Sequence, residues 1–154
     1  MSQAKSDIAH SLVPTAKREA VMLLEAGYLW MDMGRYDNAK DVFTGAAALM
    51  PKSEVPQLAL GTLEFVQGKH DKALQAFRAA QRLNPKSALP RAHCGEALFF
   101  LGKDKEAEKE LKAALDLEPA GDGARLAEAL LEARKIGAIP PEGVSATKKA
   151  AKKK

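Results

Sequence analysis

Glycine returns every 34 residues along this chain: Gly27, Gly61 and Gly95 form one such column, and Gly34, Gly68 and Gly102 a second. The same interval joins Ala39, Ala73 and Ala107, then Phe43, Phe77 and Leu111, then Ala46, Ala80 and Ala114, and finally Pro51, Pro85 and Pro119. Six columns share one register without an insertion. A fixed period of this length commits the chain to a stack of similar small units, each burying its faces on its neighbours. Apolar residues make up 46% of the chain but aromatics only 5%, a mixture that suits close-packed helices better than strands.

With unit one counted from Ala20, each column has a physical task. Glycine at position 8 and alanine at position 20 let the two helices of a unit, A and B, approach closely. Glycine at position 15 falls at the break between them, where a left-handed cap is needed. Phe or Leu at position 24 and alanine at position 27 pack one unit on the next. Proline at position 32 closes helix B, having no N–H with which to continue it.

On these columns, residues 20–119 resemble the tetratricopeptide-repeat (TPR) family, most clearly in AGYLWMDMGRYDNAKDVF and LGTLEFVQGKHDKALQAF. The resemblance implies an all-α, three-unit TPR superhelical solenoid over residues 20–121, divided 20–53, 54–87 and 88–121. Two columns depart from the family pattern. Position 11 holds Trp30, Glu64 and Leu98, and position 4 holds Leu23, Gln57 and Arg91. Around Glu64 the middle unit either packs less tightly or lets the carboxylate reach the surface.

A stack of repeats needs caps at its ends. Leu126, Leu130, Leu131 and Ile136 fall near one helical stripe, and Asp122 precedes them as an N-cap, which predicts a C-terminal capping helix over 122–136. Residues 1–19 form an N-terminal segment. Within it, residues 3–13 carry Ile8, Leu12 and Val13 before Pro14, and read either as a short helix or as a segment ordered in an oligomer. From Gly137 to Lys154, prolines, small residues and lysines are expected to form a disordered tail.

The net charge of +4 belongs to that tail. Lys148, Lys149, Lys152, Lys153 and Lys154 are five of the 24 basic residues, so the rest of the chain is close to neutral against 20 acidic ones. A specific nucleic-acid partner is therefore not expected. A single cysteine, Cys94, excludes an internal disulfide framework and fits a reducing compartment. No run of about 18 apolar residues suggests a membrane span, and no basic region followed by a long apolar run suggests a secretory signal. A cytoplasmic location is the expectation.

Chemistry finds little footing. His93 and Cys94 are adjacent, so on a helix they point about 100° apart and make a poor metal pair. Cys94 stands at position 7, usually apolar, and reads as a buried, inert thiol. No phosphate loop, nucleophile elbow, zinc-protease helix or dinucleotide fingerprint is present. Glu106 and Glu110 sit among lysines, as on a solvated helix face. No enzyme activity, metal or cofactor is expected.

The family resemblance also implies a concave groove lined by helix A positions 2, 5, 9 and 12. Those residues are Val21, Leu24, Tyr28 and Met31, then Val55, Leu58, Thr62 and Phe65, then Leu89, Ala92, Glu96 and Phe99. Most are apolar. TPR domains that hold acidic C-termini use a carboxylate clamp of Lys, Asn and Arg, and the five clamp positions here hold Leu24, Tyr28, Ala59, Leu89 and His93. The resemblance thus points to a partner segment with apolar anchors. The alternative is that the N-terminal segment or self-association covers this face.

A narrower resemblance links PRAHCGEALFFLGKDKEAEKELKAAL and MGRYDNAKDVFTGAAAL to the third and first repeats of type III secretion chaperones of the translocator class. It implies a cytosolic chaperone that clasps a secreted client in its groove, with Tyr28, Leu58, Phe65 and Phe99 as contacts, and with a homodimer formed through its N-terminal region. The small TPR partner of a secretion needle subunit is a related reading. The competing function is that of a scaffold or adaptor subunit in a stable complex.

Overall fold

The computed structural model describes the backbone of residues 2–140 and the side chains of residues 17–140. Seven helices account for it: α1 (Ser2–Asp32), α2 (Tyr36–Leu49), α3 (Val55–Val66), α4 (His70–Leu83), α5 (Ala88–Phe100), α6 (Asp104–Leu117) and α7 (Asp122–Lys135). Helices α1, α3 and α5 are the A helices, each packed on its own B helix (α2, α4 and α6); α2 and α4 pack in turn on the following A helix.

Each A helix ends in the same way. Gly34, Gly68 and Gly102 have φ of 72°, 73° and 72°, a left-handed conformation that L side chains adopt only with strain. In unit one, Gly34 N–H donates to Met31 O at 2.9 Å and Arg35 N–H to Trp30 O at 2.8 Å, and units two and three repeat this Schellman pattern. Each B helix ends two residues before its proline. The residue between leaves the helical region in all three cases, with φ of −126°, −136° and −148° at Met50, Asn84 and Glu118, since the ring of a following proline disfavours helical backbone there.

Close approach explains the position 8 glycines. A Cβ on Gly95 would stand 2.5 Å from two carbons of Leu111, and one on Gly27 would collide with the ring of Phe43. One apolar cluster joins Leu24, Ala39, Phe43 and Ala46 of unit one to Ala59 and Leu63 of unit two; a second joins units two and three to Ala127 and Leu130 of α7. Glu64 is buried within this packing, with Lys40 Nζ 3.5 Å and Lys69 Nζ 3.8 Å from its carboxylate oxygens. Lysines from α2 and from the turn before α4 therefore meet the buried carboxylate. The middle unit keeps its packing with the carboxylate inside.

Three expectations at the ends change. The N-terminal segment is neither a separate short helix nor cut at Pro14: α1 runs unbroken from Ser2 into unit one. Loss of one N–H does not stop a helix that is propagated from both sides. The N-cap of α7 is Gly121 rather than Asp122, which is the first helical residue and forms an ion pair with Arg125. The tail begins later than Gly137. Gly137 caps α7 with φ of 75°, Ala138 N–H donates to Ala133 O at 2.8 Å, and Ile139 packs against the core. The remainder of the predicted tail, 141–154, lies outside the described residues.

Helix α7 is thus closed like an A helix, 35 residues after the previous one. Counted back from Gly137, Leu130 occupies the place of Gly27, Gly61 and Gly95. That leucine keeps 7% of its surface and packs back into the cluster shared with units two and three.

Candidate partner-binding face

The twelve predicted groove positions separate into layers. Position 2 points outward: Val21 and Val55 are exposed, and Leu89 is half-buried. Tyr28 at position 9 is exposed, and Thr62 and Glu96 in the same column are half-buried, as are Met31 and Phe65 at position 12. Position 5 is core. Leu24 and Leu58 retain 7% and 8% of their surface and Ala92 none. These three support the face from beneath, because position 5 turns toward the seam with the helices behind it.

Phe99 is also core, with no exposed surface. Helix α7 packs on α5, and the Arg134 guanidinium lies 5.8 Å from the centre of the Phe99 ring. Arg134 is held there by Asp104 and by a 3.2 Å bond to Ile139 O. The capping helix therefore covers the unit-three end at position 12, which a reading confined to the repeats does not register.

Polar groups on this face are few and committed. The Tyr28 ring meets Phe43 edge-on at 5.2 Å, and desolvation raises the pKa of its hydroxyl. Thr62 Oγ1 donates to Leu58 O at 3.0 Å. His93 stacks on Phe77 at 4.9 Å and places Nδ1 3.0 Å from Glu96 Oε2. Phe65, His70 and Phe100 form a ring triad with centroids 4.8–4.9 Å apart at the seam of units two and three. Burial lowers the His70 pKa, opposed by Asp71 and Glu96.

Position 13 places two more apolar residues beside these columns. Val66 is exposed and Phe100 half-buried, both one place beyond position 12. The period of 34 carries them as a column with Asp32, but mixed chemistry in that column hides it. Of the clamp positions, Leu24 and Ala59 are buried and His93 is tied to Phe77 and Glu96. Cys94 is fully buried, and its thiol is pushed up to about 12, first by desolvation and then by Glu110. Among the described residues, no group of three or more His, Cys, Asp and Glu is arranged to hold a metal, and no helix is long and apolar enough to cross a membrane.

Paired helices on a 34-residue period, each A helix closed by the same left-handed glycine, define a repeat-built protein-interaction scaffold. The chain belongs to the tetratricopeptide-repeat family. Two family models described as tetratricopeptide repeat match residues 24–88 and 65–133. The first TPR of Spaghetti (RPAP3), solved with the HSP90 peptide SRMEEVD, is 30% identical over 78% of this chain and 94% of that one, with a TM-score of 0.67. The first TPR domain of human RPAP3 is 27% identical over 77% of this chain and 98% of that one, at 0.63. In fold the chain is also similar to the Yersinia enterocolitica type III secretion translocator chaperone SycD, with 24% identity over 74% of this chain and 88% of that one, at 0.66. No curated protein matches the sequence.

Proposed function

We propose that this chain is a protein-binding module whose A-helix face holds a segment of a partner through apolar anchors. The observation that carries this reading is the exposed row of Val21, Tyr28, Val55 and Val66, continued by the half-buried Phe65, Phe100 and Leu89. Apolar side chains exposed along one face of successive A helices mark an interaction site. Binding through such a row resembles the seating of an extended or helical segment with side chains in successive pockets. Leu24, Leu58, Ala92 and Phe99 belong to the support of the face and are left out of the contact set.

Likeness to the RPAP3 domains raises the question of acidic C-terminal peptides. The clamp positions speak against them, since none carries a Lys, Arg or Asn that could bind the terminal carboxylate. The SycD-like fold supports a chaperone that shields an apolar segment of a secreted client in the cytoplasm. Stable incorporation into a multiprotein complex is the competing role.

Two measurements separate these. Calorimetry with the peptide SRMEEVD is expected to show no binding; micromolar binding would overturn the apolar reading. Purification of the tagged chain from its native cell, beside Val55→Asp, is expected to bring down one aggregation-prone secreted protein with the wild type alone. A set of complex subunits retained by both would favour the scaffold and place its interface elsewhere.

A further inference from the structure

The columns of the repeat reveal a second surface. At position 10, Leu63 and Ala97 are fully buried, whereas Leu29 in unit one is 61% exposed. At position 3, Pro56 and Pro90 are fully buried, whereas Met22 is 67% exposed. At position 14, Gln67 and Leu101 are half-buried and Met33 is exposed. In units two and three, this side of helix A receives helix B of the preceding unit. Ala59 and Leu63 cluster with Phe43 and Ala46 of α2, and His93 stacks on Phe77 of α4. Unit one keeps the apolar chemistry of the side and lacks the helix that would cover it.

We infer that Met22, Leu29 and Met33 seat an amphipathic helix from a partner protein, docked as helix B docks on the next unit. The occupant's chemistry follows from the two instances of this contact inside the chain. Helices α2 and α4 each present an aromatic side chain with an alanine three residues later, Phe43 with Ala46 and Phe77 with Ala80. Position 6, which holds Ala59 and His93 in the covered units, holds the exposed Glu25 in unit one. The incoming helix therefore carries a Lys or Arg beside its aromatic residue.

Two alternatives within the chain are disfavoured. Helix α1 continues unbroken toward Ser2, so its N-terminal part does not fold back across this side. A second copy stacked head to tail has no free B helix to offer, because α7 already packs on α6. The surface also differs from the A-helix face proposed above: Met22 and Leu29 each follow a groove residue, Val21 and Tyr28, by one position and so turn about 100° away.

The test uses the full chain with ¹³C-methyl-labelled methionine and a fluorescein-labelled, amidated peptide of residues 70–84. This peptide is the α4 sequence with its C-cap Asn84, and carries Arg78 beside Phe77. Saturable binding is expected, with shifts at the Met22 and Met33 methyls and none at Met31 on the groove side. Leu29→Glu should weaken binding at least tenfold with an unchanged circular dichroism spectrum, and Glu25→Lys should weaken it severalfold. Absence of saturable binding, binding indifferent to Leu29→Glu, or shifts confined to Met31 would overturn the inference. So would light scattering that shows a wild-type dimer converted to monomer by Leu29→Glu, which would assign the surface to a second copy. Failure of the groove reading leaves these outcomes untouched.

Discussion

The ring of Phe77 lies so close over Gly61 that a Cβ on the glycine would stand 2.5 Å from Cδ1. Alanine is the better helix former by up to about 1 kcal/mol, which would favour Gly61→Ala if packing were indifferent. It is not. Phe77 is fully buried in the core cluster, so its ring is hemmed in by other side chains. Overpacking of this kind costs about 1–3 kcal/mol. Gly61→Ala should therefore unfold at lower urea than the wild type, and an unchanged or raised midpoint would contradict the packing described.

Glu64 tests a different balance. It is a buried carboxylate in a column that otherwise holds Trp30 and Leu98, and both its lysine partners are substantially exposed. Removing the carboxylate frees those lysines into water, while leucine would fill apolar space. Replacement of buried ion pairs by apolar residues is often neutral or stabilising by about 1–4 kcal/mol. Glu64→Leu is expected to match or exceed wild-type stability in urea unfolding. A loss above about 1 kcal/mol would show that the two lysine contacts matter more than burial suggests.

Cys94 should be silent in the folded chain. With its pKa near 12 and no exposed surface, almost no thiolate exists at pH 8 and none of it is accessible. Ellman's reagent is expected to react with less than a tenth of the chain over an hour in buffer and with all of it in denaturant. Rapid labelling in buffer would mean that α5 opens locally.

His70 gives a pH signature. Burial favours its neutral ring, so the folded pKa lies below the ordinary value of about 6.5 and the unfolded chain takes up the proton first as pH falls. Its effect on stability is nil well above pH 6.5 and becomes destabilising below it. The wild type should lose more stability between pH 7.5 and 5 than His70→Phe, measured as the shift in urea midpoint. An equal loss would remove His70 from the pH response.

The repeat, its units and the all-helical fold are legible in the sequence because each depends on a few residues at a strict interval. Gly34, Gly68 and Gly102 fix three identical helix ends, and the three prolines fix three B-helix ends. The candidate face is legible only in part. The family resemblance nominates Val21, Tyr28 and Val55, but burial at Leu24, Leu58 and Ala92 depends on how neighbouring helices pack against them. Phe99 is covered by Arg134, a contact supplied from 35 residues away. Periodicity within one unit carries no record of such a partner. The unbroken course of α1 through Pro14 is likewise set by the helix on either side of it and not by the proline.

Leu130 has a consequence for the way α7 closes the stack. Its side chain is spent on the preceding units, where it joins their apolar cluster. What α7 leaves to water is a stripe of Arg125, Glu128 and Glu132, all exposed. A further helix laid against that stripe would have to strip water from three charges and would gain little apolar contact in return. Extension of this solenoid by design would have to begin by making those three positions apolar.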